Sequence, residues 1–429
     1  MFFKYYITLF FILLYTSFSI DVCAQHQKND KAIANFYKKK AITYLLKNEI
    51  DSYQQLSFKE KGLYFYKDSL EKSKHKEHYF ISWKDFKNLK KDFENQPLDS
   101  IYKQFISNTH YIKVRNNSIP KQNKIKIAIS PGHLATNFNE AKYEKKYIEF
   151  EDGKTKFYEA ELNLTTALLL KKELLKKGFE VFMTRTRTKP DIWGLGFEQW
   201  KVKKFDATLK EYLDAGDFSK EQVDWFKNEA TEQQIFKYLY VKSELKKRAE
   251  VINQFNPDIT IAIHYNVDEK NEDWKVPTSK NYMMAFVPGS FLKQELNKPL
   301  DKFNFLKLLA TDNLKNSIQL SKNFIQSFSK TSCIPIAKME DAVYLDKFSL
   351  PTEKRGVFAR NLAMTRLVHS PILYGEPLYQ DHKKIAKSLN LHNPDIPQKR
   401  VSKYIIKVVK AYYKSILNYT KKLKSHTKK

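Results

Sequence analysis

Apolar residues alternate through Ile125, Ile127 and Ile129, with Ala128 between the last two, and the run stops at Ser130-Pro131-Gly132. That pattern predicts a short buried strand running into a tight turn. Beyond it, Leu162, Thr166, Leu169, Leu170 and Leu174 recur at helical spacing, which predicts a helix from Glu159 to Lys177 closed by Gly178. Phe179 to Thr184 follows as a second strand. The alternation resumes with a helix over Leu245 to Phe255, ended by Asn256-Pro257, and strands over Asp258 to Asn266 and Tyr282 to Val287. A helix from Asn304 to Lys330, a last strand from Pro371 to Gly375 and an amphipathic helix from Val401 to Leu423 complete the series. Strands alternating with helices predict an α/β fold: a three-layer, mainly parallel sheet flanked by helices.

Two regions fall outside this rhythm. Residues 26–120 are rich in Lys, Tyr and Phe with almost no Gly or Pro, and Ile33 to Leu46 and Trp83 to Phe93 have helical spacing. They predict an N-terminal helical region without a functional signature. The second is an insertion of mainly helical pattern at about residues 189–243, carrying Trp193, Trp200 and Trp225. The stretch between His133 and Glu159 reads as a polar loop. The resulting organisation is a leader over 1–25, the helical region over 26–120, an α/β domain over 121–423 and a basic tail over 424–429. No internal repeat is present.

Composition then narrows the partners. Hydrophobic residues make up 42% and aromatics 14% of the chain, which excludes a wholly disordered protein. The formal charge of +28 points towards an anionic partner or surface, with solubility and a lysine-rich coding bias as the alternative that charge alone does not separate from it. The lysines are dispersed and no nucleic-acid-reading motif occurs, so nucleic acid is not the expected partner. Residues 1–25 place Lys4 before the apolar run Tyr5 to Phe18 and end in Val22-Cys23-Ala24-Gln25, the order of a secretory signal peptide. The run is shorter than the ~20 residues a spanning helix needs, so no membrane span is expected to remain after cleavage. The periplasm or cell envelope is the expected location. Cys23 could alternatively carry a lipid, but Asp21-Val22 before it is a poor lipobox. Only Cys333 would then remain, so no internal disulfide is expected.

The candidate chemistry sits at strand ends. His133 lies just past the first strand, Glu159 opens the following helix, and His264 ends the strand through Ile263. Open α/β sheets place ligands at such carboxyl ends. Two imidazoles and a carboxylate are a usual set for hydrolytic zinc. Glu376, directly after the last apolar strand, is the candidate proton shuttle. Taken singly, each histidine reads as an ordinary structural residue. The remaining ones, His26, His75, His78, His110, His369, His382, His392 and His426, have no comparable address.

These residues resemble the zinc-dependent N-acetylmuramoyl-L-alanine amidases, which cleave the bond between MurNAc and the stem peptide of peptidoglycan. The family's strand-Asp-Pro-Gly-His motif is matched by Ile129 to His133, and its Glu-x-x-x-Asn-Leu by Glu159 to Leu164. Leu-Thr-Arg is matched by Met183-Thr184-Arg185. Arg-x-x-x-x-Asn is matched by Arg248 to Asn253, and Ser-Ile-His-x-Asn by Ala262 to Asn266. The Arg-Gly and Pro-x-x-Leu-x-Glu elements are matched by Arg355-Gly356 and Pro371 to Glu376. The resemblance implies Zn2+ held by His133, Glu159 and His264, with Glu376 catalytic and Asn266 and Arg248 supporting the ligands or facing the substrate. Glu161 is the competing carboxylate, but Glu159 shares a helix face with Asn163 as the motif requires.

The resemblance also implies peptidoglycan as substrate and a role in wall remodelling or daughter-cell separation. Members of the family can carry a helix that covers the metal until a partner withdraws it. The 189–243 insertion is placed to do this under a protein activator, or to extend the substrate groove. Ser130 replaces the motif's aspartate, Leu134-Ala135 its glycines, and Pro377-Leu378 the Gly-Phe after the catalytic glutamate. Such changes reshape the cleft rim and leave the ligand set intact. The alternative reading is an inactive or differently specific amidase-like protein that binds the wall.

Overall fold

The computed structural model describes residues 29–96, 98–113, 124–151, 153–271, 275–390 and 401–426. The expected leader with Cys23, His392 and residues 427–429 of the basic tail therefore lie outside the described residues. The described chain forms two compact units, one of residues 1–121 with 291–311, the other of 122–290 with 312–429.

The larger unit is built on a seven-stranded sheet. Its strands are β1 (Lys126–Pro131), β2 (Glu180–Met183), β3 (Ile259–Ile263), β4 (Met284–Pro288), β5 (Ser349–Pro351), β6 (Val357–Arg360) and β7 (Ile372–Glu376). They lie in the order β5-β6-β4-β7-β3-β1-β2. The half β2-β1-β3-β7 is parallel throughout, β4 runs antiparallel to β7 and parallel to β6, and β5 turns back against β6. Every residue of β3 and β4 is buried, as a strand covered on both faces requires. This is the expected α/β architecture. The edge strand β5 and its neighbour β6 are too short, and too closely divided by Glu353-Lys354-Arg355-Gly356, to stand out as a pattern.

Helices cover both faces. The first five are α1 (Phe138–Glu144), α2 (Glu159–Lys176), α3 (Phe197–Asp214), α4 (Lys220–Asn228) and α5 (Val241–Phe255). Two longer helices follow, α6 (Asn313–Ser332) and α7 (Lys403–His426), with short helical turns between them. On one face α7 packs against both α6 and α2. On the other, Ala249 and Ile252 of α5 meet Ala128, Ala262 and Ile372 of the sheet. Tyr412 of α7 lies against β7 so closely that a Cβ on Gly375 would stand 2.1 Å from its hydroxyl. The insertion is helical as expected: α3, α4 and a further turn lead into α5 around Phe197, Trp200, Leu209, Tyr212, Phe236 and Tyr240.

Two expectations need correction. The single helix predicted over Asn304 to Lys330 is two, Pro299–Ala310 and Asn313–Ser332. Thr311 is extended (φ −96°, ψ 170°) and divides them. Lys302 to Ala310 are all buried, so the apolar pattern has no single face and its periodicity conceals the break. The polar loop between His133 and Glu159 is also structured, holding α1 and a hairpin of Tyr147–Glu149 with Lys156–Tyr158.

In the smaller unit, helices at 29–40, Trp83–Asn95 and Leu98–Ser107 agree with the expected helical region. They accompany an antiparallel meander, Leu56–Lys59, Gly62–Phe65 and Tyr79–Ser82, which helical spacing did not announce. Its core is aromatic: Phe65 meets Tyr79, Phe105 and Phe305 at ring centroids 6.2–6.3 Å apart.

Candidate metal centre

The register of the parallel strands creates the site. Pro131 of β1 and Gly375 of β7 both pair with Ile263 of β3. His133, His264 and Glu376 therefore emerge together at one carboxyl edge. His133 is in the left-handed region (φ 60°), uncommon for a residue with a Cβ. Gly132 before it is required for space, since a Cβ there would stand 2.1 Å from the His264 ring.

Buried donors hold this turn by its carbonyls. Arg248 donates to Pro131 O (2.9 Å) and Ser130 Oγ (3.3 Å). Arg185 donates to Gly132 O (3.0 Å) and Ala160 O (2.5 Å), and Asn163 Nδ2 to Gly132 O (3.1 Å). The arginines and asparagine of the recurring motifs thus fix the backbone that aims His133. With serine at position 130, the Arg248 charge is met by Glu244, at 2.9 Å and wholly buried.

Glu159 is the hub. Its Oε1 lies 3.1 Å from His133 Nε2 and 3.3 Å from His264 Nδ1, and accepts the Tyr265 N–H at 3.1 Å. Its Oε2 accepts from Gln380 Nε2 at 3.0 Å. The ligand atoms of His133, Glu159 and His264 all lie within 4.8 Å of one another. The His264 ring stacks on Tyr374, centroids 4.2 Å apart and planes 11° from parallel. The second nitrogen of His133, Nδ1, is held at 2.9 Å by Glu144 of α1, leaving Nε2 turned to the cluster.

The charges of these groups are set by one another. Burial works to lower the His133 pKa, but Glu159 and Glu144 outweigh it and push it up to about 9. Burial drives His264 the other way, down to about 4, with its neighbour His133 adding to the effect. Glu159, which burial alone would raise, is held well below the usual carboxylate range by His133. Two converging carboxylates thus keep a cation between them. Paired imidazoles beside an ionised carboxylate fit a divalent metal of zinc type.

Glu376 ends β7 beside this cluster. It is buried, and its Oε2 has no hydrogen-bond partner. Burial, then the negative charge of Glu159, push its pKa up to about 8. Asn266 takes no part in the cluster: its Nδ2 donates to Tyr344 Oη (2.7 Å) and its N–H to Leu378 O (2.9 Å), tying loop to loop. Glu161 is half-buried and outside the cluster. Sequence reasoning missed Glu144 and Gln380. Glu144 lay in a stretch read as loop, and no spacing rule points from it to His133. Gln380 could have been found only as a polar residue soon after the last strand.

A family model described as N-acetylmuramoyl-L-alanine amidase matches residues 127–411, more than half of the chain. Among solved structures, the chain is similar to the CwlD amidase from Clostridioides difficile in complex with the GerS lipoprotein. There the identity is 17%, over 70% of this chain and 99% of that one, with a TM-score of 0.38. It is also similar to the apo form of the N-acetylmuramyl-L-alanine amidase Ami1 from Mycobacterium abscessus (15%, 69% and 98%, TM-score 0.36). A third is the catalytic domain of CwlV from Bacillus (Paenibacillus) polymyxa var. colistinus (14%, 69% and 98%, TM-score 0.36). No curated protein matches the chain.

Proposed function

The chain belongs to the N-acetylmuramoyl-L-alanine amidases, and from that premise we propose how its residues hydrolyse the amide between N-acetylmuramic acid and L-alanine in peptidoglycan. The observation that carries the reading is the His133–Glu159–His264 cluster set beside a buried, unpartnered Glu376. The three residues would hold Zn2+, which supplies Lewis-acid polarisation of the scissile carbonyl and lowers the pKa of water.

Glu376 takes a proton from the attacking water through its free Oε2 and returns it to the leaving L-alanine nitrogen. A pKa raised by burial suits a group that must both accept and give a proton near neutrality. Gln380 and Tyr265 fix the Glu159 carboxylate. Arg248, Arg185 and Asn163 fix the turn of His133. The net charge of +28 supports attraction to a polymer bearing stem-peptide carboxylates. The pattern of residues 1–25 supports export to the cell envelope, where wall remodelling or daughter-cell separation would be the role. The 189–243 insertion offers a protein activator a folded surface.

The test pairs metal content with release of stem peptides from purified sacculi. Wild type is expected to carry about one zinc, lost in His264→Ala. Glu376→Gln is expected to keep its zinc and lose roughly 10²–10⁴-fold in rate, the usual contribution of a positioned acid–base. Wild type that takes up no zinc on titration would overturn the reading in favour of a wall-binding protein. Bound zinc with intact sacculi would move the substrate to another envelope amide.

A further inference from the structure

Glu144 stands outside the four residues proposed for catalysis, yet it makes the shortest contact to His133. Its Oε1 is 2.9 Å from His133 Nδ1, while its Oε2 accepts the N–H groups of Leu134 (3.3 Å) and Ala135 (3.4 Å). One buried carboxylate therefore grips both the ring and the backbone that follows it. A carboxylate at Nδ1 fixes which tautomer the imidazole adopts and leaves the Nε2 lone pair for the cluster.

Glu144 is the last residue of α1, a helix of seven residues, too short to persist without tertiary support. Its Phe138 and Ala141 side is supported by Tyr147, Tyr158 and Ala160, and the end that carries Glu144 by the 189–243 insertion. Tyr143, directly before Glu144, packs on Phe197 and Phe236 with ring centroids 6.4 and 6.1 Å apart. Gln233 Nε2 donates to the Tyr143 carbonyl at 3.4 Å. Leu134, directly after His133, is buried in the same cluster as Phe197, Trp200 and Phe236. Each member of the His133–Glu144 pair thus has a sequence neighbour seated in the insertion.

We propose that Glu144 is the positioning residue for the first metal ligand and that the insertion acts on the centre through it, by holding α1 in place. The insertion is then a buttress of the site: a partner that shifts α3 or the turn at Phe236 alters metal retention without having to cover or uncover the cleft. The proposal rests on the reading of His133 as a ligand.

The experiment is zinc affinity of the full chain, measured by competition with a chromogenic chelator, for wild type, Glu144→Ala, Glu144→Gln, Tyr143→Ala and the double variant Tyr143→Ala/Glu144→Ala. Thermal melting establishes that each is folded. Glu144→Ala is expected to weaken zinc about 10–100-fold. Glu144→Gln, which keeps an acceptor oxygen for Nδ1–H, is expected to recover most of that loss; a merely structural role would not give this rescue. Tyr143→Ala is expected to weaken zinc while the double variant is no worse than Glu144→Ala, the non-additivity of groups acting in series. Wild-type affinity in Glu144→Ala, with zinc still lost in His264→Ala, would overturn the proposal and leave the metal reading standing. Additive losses would overturn the role of the insertion. No zinc in wild type would overturn both the proposal and the reading beneath it.

Discussion

Glu376 is an expensive residue to keep. Burial, then the charge of Glu159, raise its pKa from the ordinary 4.5 to about 8. Between those values the folded chain binds more protons than the unfolded one, so stability falls as pH rises through that window, and the cost is complete above it. In chelator-treated protein, Glu376→Gln is therefore expected to melt above wild type at pH 8.5 and to converge with it near pH 4.5, as followed by circular dichroism. A wild-type melting curve independent of pH across that range would count against a buried, ionising Glu376. At this scale the site was largely legible in the sequence. His133, His264 and Glu376 each follow an apolar strand run, and strand ends at one sheet edge converge whatever lies between them in sequence. Glu144 and Gln380 were illegible because their roles depend on how loops fold back, which no periodicity encodes.

At the scale of elements, the buried cross-brace from α5 to β1 is the feature that local pattern reading undervalued. Arg248 and Glu244 are buried on one helix face, four residues apart, and could pass for a surface ion pair. Instead they deliver a guanidinium to the carbonyl before Gly132. Removing one partner of a buried pair strands the other charge, so Arg248→Ala is expected to cost about 3–5 kcal/mol in urea unfolding. Replacing both, as Glu244→Leu with Arg248→Met, is expected to restore most of the stability but not zinc affinity, because the Pro131 carbonyl keeps only its longer bond from Arg185 Nε, at 3.4 Å. Elements whose apolar residues keep one face, such as α2, were readable from spacing. The Pro299–Ala310 helix was not, since it is buried all round from Lys302 onward and its stop at Thr311 carries no Gly or Pro.

At the scale of the molecule, the α/β plan was readable because five strand runs and four helix runs recur in order. The meander at Leu56 to Ser82 was hidden by its short strands. The α7 helix closes the larger unit along α6 and α2, and α2 begins with Glu159. A chain stopped at Ser402 is expected to lose cooperative unfolding and zinc together; zinc retained at wild-type affinity would show that the closing helix is dispensable to the centre. The contact of Tyr412 with Gly375 has a consequence in time. Every strand of the sheet leaves the ribosome before α7 does, so the strand bearing Glu376 has α6 against it but lacks its Tyr412 contact until α7 has been added. The last helix to be made is thus the one that seats Tyr412 behind Gly375, so the order of synthesis leaves the strand of the proton shuttle for final setting.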